Sequence, residues 1–216
     1  NGLSGVPWQL KTLALKKKEL RKKAYSARVG QPDKGQASEL ICHAFAALDR
    51  YRSADTILYY LDCRSEVRTH QAVRTSLETC KRIVIPYCTV NEQGDNTLGL
   101  WRIKSMDELV AGMWNILEPP KDRWGEPGKE VPPGEIDLAL IPGVAFDANG
   151  GRLGNGKGYY DRLLYEVRPD CELIGAGFQA QIFEQIPMDD HDVYLDGVLT
   201  ETHFYRGKGR GFGIHE

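Results

Sequence analysis

The amino-acid sequence predicts an α/β fold: a single-domain, open, mostly parallel sheet with helices on both faces. Short apolar runs rich in β-branched and aromatic residues alternate with amphipathic runs, as strands and helices do in such sheets. The run IDLALI at 136–141 carries apolar residues on both faces, as expected for a parallel strand covered on both sides. A glycine-rich loop, a helical run and a further apolar run follow it. This β-loop-α-β order is typical of Rossmann-like folds.

Length and composition favour one domain. The 216 residues, 41% of them hydrophobic and 27% charged, are enough for one well-buried core and few for two. We expect a single domain over residues 1–206. The glycine-rich tail at 207–216, GKGRGFGIHE, is expected to be disordered.

The first third of the chain predicts three helices and one strand. Residues 8–28 carry leucines among lysines, without internal Gly or Pro, which indicates a largely exposed amphipathic helix. Residues 36–50 have a buried apolar stripe at helical spacing. The run TILYYL at 56–61 is short and β-branched at its start, so it predicts a buried strand. We expect a further helix over residues 67–79.

The remaining elements alternate between strands and a helix. The run RIVIPYC predicts a strand at 82–88, and another strand is expected at 98–103. After the strand at 136–141, we expect a helix over 158–167 and a strand at 173–178. In sheets of this kind ligands bind beyond the carboxyl ends of the strands, and the glycine-rich loop falls at such an end.

The charge distribution gives no general reason for nucleic-acid or membrane binding. Lys and Arg total 28 and Asp and Glu total 30, so the net charge is -2. The first 34 residues are locally cationic, and we expect them to face an anionic partner or plain solvent. The five cysteines are odd in number and never form a C-x-x-C pair, which favours a reduced, cytoplasmic protein. We find neither a membrane span nor a secretory signal.

The loop at 150–158 indicates a phosphate site. Five of its nine residues are glycine, so backbone N–H groups can approach phosphate oxygens without a Cβ in the way. The start of the following helix adds a favourable dipole. Arg152 and Lys157 supply positive charge. A glycine-rich surface turn with incidental charges is the alternative, and the combination with the strand, Tyr-Tyr-Asp and the helix makes it the weaker one.

Two known phosphate-binding patterns nearly fit this loop. A Walker A pattern would run from Gly151 to Lys157, but Gly158 stands where a Ser or Thr should bind magnesium. The dinucleotide fingerprint fails because Tyr159 occupies the place of its third glycine, so NAD is excluded. Asp161, one turn into the helix, is suited to bind Mg²⁺ that bridges phosphates.

The run RLGNGKGYYDR, preceded by PGVAFD, resembles the signature of the 5-formyltetrahydrofolate cyclo-ligase family, also called 5,10-methenyltetrahydrofolate synthetase. Weaker likenesses are KKELR near the start, EVRT after the first strand, WNILEP in the middle and HDVYLDGVLTE near the end. The resemblance implies Mg²⁺ and ATP as cofactor and cosubstrate. It also implies 5-formyltetrahydrofolate as substrate and 5,10-methenyltetrahydrofolate, ADP and phosphate as products.

The implied reaction assigns a role to the loop. Phosphorylation of the formyl oxygen needs ATP to be positioned and its charge neutralised, which suits Arg152 and Lys157 as catalytic groups. The rest of the expected ATP site comprises Gly151, Gly154, Asn155, Gly156, Gly158 and Tyr159. Asn155 stands where the family commonly has an aromatic or basic residue, which leaves the nucleotide preference open.

The resemblance also implies roles outside the loop. Lys17 and Arg21, four residues apart on one helix face, match the K-x-x-L-R pattern of the family's ATP-binding helix, although a solvated lysine-rich helix is the alternative. Asp192 matches a second Mg²⁺ ligand, with an acidic surface turn as the alternative. Glu66 is implied to contact the folate; otherwise its carboxylate would complement a helix dipole. Tyr160 is the aromatic residue we expect to stack on the pterin.

Other functions stay open on the sequence alone. A sugar-phosphate isomerase or a coenzyme A transferase on a similar sheet would also use a glycine-rich anion loop, but without ATP. A non-enzymatic nucleotide- or RNA-binding protein would use the cationic helix and bind in a salt-dependent way. The basic stretch lacks the interleaved aromatic residues of single-strand binders. We therefore expect a monomeric enzyme without a nucleic-acid or membrane partner.

Overall fold

The computed structural model describes residues 8–189 and 192–211 and contains five helices in these ranges. The helices are α1 (Trp8–Gly30), α2 (Lys34–Ala46), α3 (Asp49–Ser53), α4 (His70–Leu77) and α5 (Tyr159–Glu166). The strands are β1 (Thr56–Leu58), β2 (Arg82–Val90), β3 (Asn96–Ile103), β4 (Val110–Ala111), β5 (Leu117–Glu118), β6 (Leu138–Pro142), β7 (Ala145–Asp147), β8 (Arg152–Leu153), β9 (Glu172–Ala176), β10 (Ile182–Phe183), β11 (Gly197–Leu199) and β12 (Phe204–Arg206). Short 3-10 helices cover Met106–Glu108, Met113–Asn115, Lys121–Arg123, Pro133–Glu135 and Gln179–Gln181.

Seven strands form the main sheet in the order β12-β11-β9-β6-β1-β2-β3. The five central strands run parallel, and β12 and β3 pair antiparallel at the two edges. The predicted α/β fold with a mostly parallel open sheet is therefore confirmed. The chain passes from β1 to β2 on one side and later returns to β6 on the other side of β1. The gap between the carboxyl ends of β1 and β6 is a topological switch point, where ligands bind in such sheets.

Helices cover both faces of this sheet, because successive strand residues point to opposite sides. Ile57 and Ile83 belong to a core cluster that also contains Phe45 of α2. Their neighbours Leu58 and Val84 belong to a second cluster with residues of α5. Both faces of the central strands are fully buried, which explains the continuous apolar runs that predicted them.

Two predicted elements differ in extent. The helix expected over 36–50 is interrupted, because Leu48 is extended with φ -61° and ψ 142°, and α3 begins after it. The strand expected at 56–61 ends at Leu58. Residues 59–61 stay buried but leave the ladder, and Tyr60 donates a hydrogen bond to the Val67 carbonyl at 2.9 Å. This stretch and the turn after it form one wall of a cavity.

Smaller sheets flank the main one. Strands β10, β7 and β8 form a three-stranded sheet, and β4 and β5 form a hairpin. Ala24 of α1 packs with Val144 and Ala145 in a small apolar cluster next to the three-stranded sheet. Most of α1 is exposed, as the sequence predicts. Strands of two or three residues are too short to produce a periodicity, so the sequence did not predict them.

The predicted disorder of the tail does not hold for residues 207–211. The amides of Gly207, Lys208 and Gly209 donate to the carbonyls of Asp196, Asn149 and Leu195, respectively. The Arg210 guanidinium donates to carbonyls at the end of α5, including Val167 at 2.9 Å. Composition alone does not reveal such long-range contacts. Residues 212–216 lie outside the described part of the chain. Among the described helices, none combines the length and the apolar character that crossing a bilayer requires.

Candidate active site

A cavity of about 460 Å³ opens beyond the carboxyl ends of β1, β2 and β6. It lies at the switch point between β1 and β6, where the sequence places the glycine-rich loop. Its lining comprises Tyr25, Arg28, Tyr60, Leu61, Cys63, Arg64, Glu66, Pro86, Tyr87, Cys88, Leu98, Trp114, Ile116, Glu118, Pro142, Gly143, Arg152, Tyr160, Asp161 and residues 154–159. The expected ATP and folate residues Arg152, Lys157, Glu66 and Tyr160 therefore share one cavity.

Residues 154–158, together with Arg152, form what we call the loop side of the cavity. The chain turns here through Gly156 at φ 84° and Gly158 at φ 76°, left-handed conformations that favour glycine. Asn155, Gly156 and Gly158 are exposed toward the opening. The amide of Gly151 instead donates to Asp147 Oδ1 at 2.8 Å, and Gly151 is not in the lining. Gly151 therefore supports the loop, and its N–H is not free for a phosphate as the sequence suggested.

Arg152 is the buried cation of the loop side, with its residue 9% exposed. Its Nε donates to the Pro142 carbonyl at 2.8 Å, and Nη1 lies 3.2 Å from Asp161 Oδ1. The guanidinium carbon stands 5.3 Å from the centre of the Tyr160 ring. Arg152 thus links the end of β6 to the first turn of α5 and presents a fixed positive charge to the cavity.

Lys157 is the second cation of the loop side. It is exposed, and its Nζ lies 5.9 Å from the centre of the Trp114 ring. Its carbonyl accepts a hydrogen bond from Asn96 at 3.1 Å, which fixes the backbone but not the side chain. A long flexible cation at the rim is suited to reach a bound anion.

Helix α1 docks on the loop through one of the two predicted basic residues. Arg21 Nε donates to the Gly154 carbonyl at 2.9 Å. A Cβ on Gly156 would lie 3.2 Å from the Arg21 guanidinium carbon, so the glycine allows this approach. Tyr25 hydrogen-bonds the Asn155 side chain. Arg21 braces the loop from outside, since it is not in the cavity lining.

Lys17 does not point to the loop side. Its Nζ bonds Asp189 at 2.9 Å and Asp192 at 2.5 Å. Burial lowers the pKa of Lys17, but the hydrogen bonds and charges of the two carboxylates outweigh it, and the net shift is upward. Neither Lys17 nor Asp192 lines the cavity. The structure therefore joins the predicted ATP lysine to the predicted metal carboxylate rather than to the loop.

The two predicted metal ligands lie in different surroundings. Asp161 lines the cavity, has a side chain 53% exposed and pairs with Arg152. Asp192 pairs with Lys17, and His191 beside it lies outside the described residues. Within 8–189 and 192–211, the structure contains no group of three or more His, Cys, Asp or Glu residues able to hold a metal. Asp161 fits a cation shared with phosphate oxygens, whereas the present position of Asp192 does not.

Glu66 lies in the cavity as predicted, beside an arginine that the sequence analysis missed. The side chain is 13% exposed, and Oε2 accepts the Cys63 amide at 3.0 Å. Buried Arg28 brings Nη1 to 3.8 Å from Glu66 Oε1 and donates to Ser65 Oγ and the Gly143 carbonyl. Burial raises the pKa of Glu66, partly offset by the Cys63 amide and Arg28. Arg28 follows Arg21 by seven residues, so both lie on one face of the helix two turns apart. This spacing could have indicated from the sequence that Arg28 also belongs to the site.

Aromatic residues complete the lining. The Arg152 guanidinium lies over the Tyr160 ring, and the predicted stacking of Tyr160 on a pterin stays a prediction. Burial raises the pKa of both Tyr160 and Tyr60, which stay neutral phenols. Trp114 is half exposed at the opening with φ 57°, an unusual conformation for a bulky residue. Its contribution was left open by the sequence. The aromatics that belong to the core are Tyr59, Trp101 and Phe146.

A second acidic residue of the cavity, Glu118, was also missed. It is 8% exposed and lines the cavity next to Cys88. Burial raises its pKa, and the charge of Lys121 offsets part of the shift. We call Glu66, Glu118, Tyr60 and Tyr160 the acidic side of the cavity. The segment WNILEP, which contains Glu118, was noted in the sequence without a role.

The architecture and the loop agree with a match to a known family. The family model described as "5-formyltetrahydrofolate cyclo-ligase family" matches residues 14–201, which include every site residue described above. The chain belongs to this family. The resemblance that the sequence of the loop indicated is thereby confirmed.

Curated and solved relatives carry the same family names. A mouse (Mus musculus) 5-formyltetrahydrofolate cyclo-ligase is 32% identical over 173 residues, covering 76% of this chain and 82% of the mouse protein. An Escherichia coli K12 protein of that name is 30% identical, covering 69% and 79%. The NMR structure of an Aquifex aeolicus 5,10-methenyltetrahydrofolate synthetase has a TM-score of 0.73 at 31% identity, covering 93% of this chain and 97% of its own. A Mycoplasma pneumoniae synthetase, with a TM-score of 0.65 at 24% identity, shares the fold.

Proposed function

We propose that the chain is an ATP- and Mg²⁺-dependent enzyme that cyclises 5-formyltetrahydrofolate to 5,10-methenyltetrahydrofolate. The observation that carries the proposal is the two-sided cavity, in which a cationic, glycine-rich wall meets aromatic and acidic walls. The first wall suits a polyphosphate, and the second suits a planar ring with N–H donors. Family membership over residues 14–201 supports the same assignment.

The reaction requires activation of a poor leaving group. The formyl oxygen attacks the γ-phosphorus of ATP, and ADP departs. The neighbouring N10 amine then attacks the activated formyl carbon and loses its proton, and phosphate leaves with the former formyl oxygen. The products are the methenyl cation, ADP and phosphate. Such chemistry depends mainly on positioning and charge neutralisation.

The loop side supplies both requirements. Backbone N–H groups of 154–158 can donate to phosphate oxygens, and the fixed guanidinium of Arg152 can neutralise charge that develops on the transferred phosphoryl group. Lys157 is free to close over the phosphates from the rim. Arg21 keeps the loop in shape, and Tyr159, the first residue of α5, lines the same cavity with a backbone N–H that has no partner within the helix.

Mg²⁺, when bound, would neutralise phosphate charge, with Asp161 as its protein ligand in the cavity. Asp192 stays the predicted second ligand, although it bonds Lys17 in the structure. The predicted ATP contact of Lys17 likewise stays a prediction. Expectations of a cytoplasmic monomer without a nucleic-acid partner also stay predictions.

The acidic side would hold the folate. Tyr160 offers a ring face for stacking, and its phenol is neutral. Glu66, held by Arg28 and the Cys63 amide, can accept N–H groups of the pterin. The two sides meet where Arg152 covers the Tyr160 ring, so a formyl group on the pterin would lie beside the terminal phosphate.

The test is incubation with 5-formyltetrahydrofolate and Mg-ATP, following the near-ultraviolet absorbance of the methenyl product and the release of ADP. Lys157→Ala should raise the KM for ATP about tenfold, the value of one charge-assisted hydrogen bond. Asp161→Asn should raise the Mg²⁺ concentration needed for half-maximal rate. Lys23→Ala, which removes an exposed cation of α1, is the matched control and should change neither.

Two outcomes would contradict the assignment. Turnover without ADP release would favour an isomerase or transferase on the same fold. Unchanged ATP and Mg²⁺ requirements in both variants would show that the nucleotide binds elsewhere.

A further inference from the structure

Glu118 occupies an unusual position for an acidic residue. It is the last residue of β5, which pairs with β4 in the register Val110 to Glu118. A Cβ on Gly112 would lie 2.0 Å from Glu118 Cδ, so the glycine provides the space that the carboxylate fills. The hairpin therefore holds the side chain buried at the cavity wall rather than in solvent.

The carboxylate of Glu118 lacks a donor from the protein. Within the described part of the chain, no hydrogen bond or ion pair joins it to another residue, and Lys121 acts on it only through its charge at longer range. Burial first, and the charge of Glu118 second, raise the pKa of the Cys88 thiol, which places the carboxylate beside Cys88. The Glu118 oxygens retain some contact with solvent in the cavity, so a ligand that displaces this solvent must supply hydrogen-bond donors in its place.

The second carboxylate of the acidic side differs in this respect. Glu66 accepts the Cys63 amide and stands beside Arg28, so its charge is matched within the protein. Glu118 shares the cavity lining with apolar residues that include Leu98 and Ile116. A ligand that fills this part of the cavity must therefore be largely apolar and bring N–H donors to Glu118.

We propose that Glu118 is a specificity-determining residue, whose carboxylate accepts hydrogen bonds from the 2-amino and N3–H groups of the substrate's pyrimidine ring. These two N–H groups lie side by side and point the same way, as the two oxygens of a carboxylate require. The adenine edge of ATP alternates donor and acceptor and matches a carboxylate less well. This inference rests on the proposed function.

The experiment compares Glu118→Gln with wild type. The variant keeps the shape but replaces one acceptor oxygen with a donor. We expect the KM for 5-formyltetrahydrofolate to rise about tenfold or more, the KM for ATP to stay within twofold, and the melting temperature not to fall. The matched control is Glu172→Gln, since Glu172 is another partly buried glutamate with a raised pKa but lies outside the cavity lining. It should leave both KM values unchanged.

A substrate analogue provides a second readout that needs no variant to fold. Wild type should bind 5-formyltetrahydrofolate lacking the 2-amino group about tenfold more weakly than the parent compound, and Glu118→Gln should lose this discrimination. Equal binding of both compounds by wild type would overturn the role of Glu118. The role of Glu118 would also be overturned if Glu118→Gln changed only the affinity for ATP, or if it only lowered the melting temperature.

The two proposals fail in different ways. Wild-type protein that neither binds nor cyclises 5-formyltetrahydrofolate with ATP would overturn the proposed function and this inference together. Wild-type turnover with an unchanged folate KM in Glu118→Gln would overturn the inference alone.

Discussion

The loop side and the acidic side of the cavity carry opposite charges and differ in how those charges are stabilised. On the loop side, the charge is carried by backbone amides, an exposed lysine and one buried arginine, Arg152, whose hydrogen bonds are made within the protein. On the acidic side, the carboxylates belong to largely buried residues; Glu66 has partners within the protein, whereas Glu118 has none in the described part of the chain. An anion can thus arrive with its water and be captured at the rim, whereas a ring must be desolvated first. The comparison predicts different consequences of substitution on the two sides.

The largest effect is expected on the loop side. Arg152→Ala should reduce kcat/KM about a hundred- to a thousandfold, as removal of one preorganised charge-stabilising donor does. Arg152→Lys keeps the charge but cannot bond both the Pro142 carbonyl and Asp161. Its kcat/KM should therefore lie between those of wild type and Arg152→Ala. Initial rates of methenyl formation measure both variants. An alanine variant within tenfold of wild type would show that the fixed charge is not needed.

The next effect concerns the buried pair on the acidic side. Arg28→Met should lower the free energy of unfolding by about 3 kcal/mol, because Glu66 then stays buried without its ion-pair partner. The double variant Arg28→Met with Glu66→Gln should recover most of this loss. Urea denaturation at neutral pH measures all three proteins. Equal stability of the single and double variants would mean that the two side chains are not coupled.

The smallest effect is a dependence of stability on pH. Burial raises the folded-state pKa of Glu118, so ionisation of this group opposes folding as the pH rises through that pKa. Glu118→Gln should therefore be more stable than wild type at neutral pH, and the difference should vanish below the pKa of the unfolded state. Glu126 has its pKa lowered by its hydrogen bond to Arg123, so Glu126→Gln should give the opposite sign. Thermal unfolding of wild type and both variants, measured from acid to neutral pH, gives the change in stability that each substitution causes. If Glu118→Gln lowered the stability at neutral pH as Glu126→Gln does, burial would not govern the pKa of Glu118.

The sequence predicted the parts of the molecule whose signal is local. The central strands produce unbroken apolar runs, and the loop at 150–158 concentrates glycine between a strand and a helix. Glu66 and Tyr160 lie in the cavity and Arg21 contacts the loop, but their predicted folate and ATP contacts stay predictions. The strands and the loop could be predicted because each depends on residues within a short stretch of sequence.

The rest depends on contacts between distant residues. Lys17 bonds Asp192, which is 175 positions away, and no pattern in either segment indicates this pairing. The Gly151 amide donates a hydrogen bond to the Asp147 carboxylate, although the glycine-rich sequence around Gly151 suggested a phosphate contact. Glu118 is buried because a two-residue strand pairs with β4, and strands so short have no periodicity to find. Sequence spacing does not reveal which polar groups the fold removes from water.

The contact between Arg21 and Gly154 joins residues 133 positions apart. During synthesis, α1 therefore leaves the ribosome long before the loop on which it docks exists. Helices in proteins gain most of their stability from tertiary packing, so α1 lacks this contact with the loop until the second half of the chain has been made. Its many exposed lysines keep the segment hydrated and repel other copies during that interval. Residues of α1 are thus made before the loop at 154–158 but can be fixed only together with it, through the contact between Arg21 and Gly154.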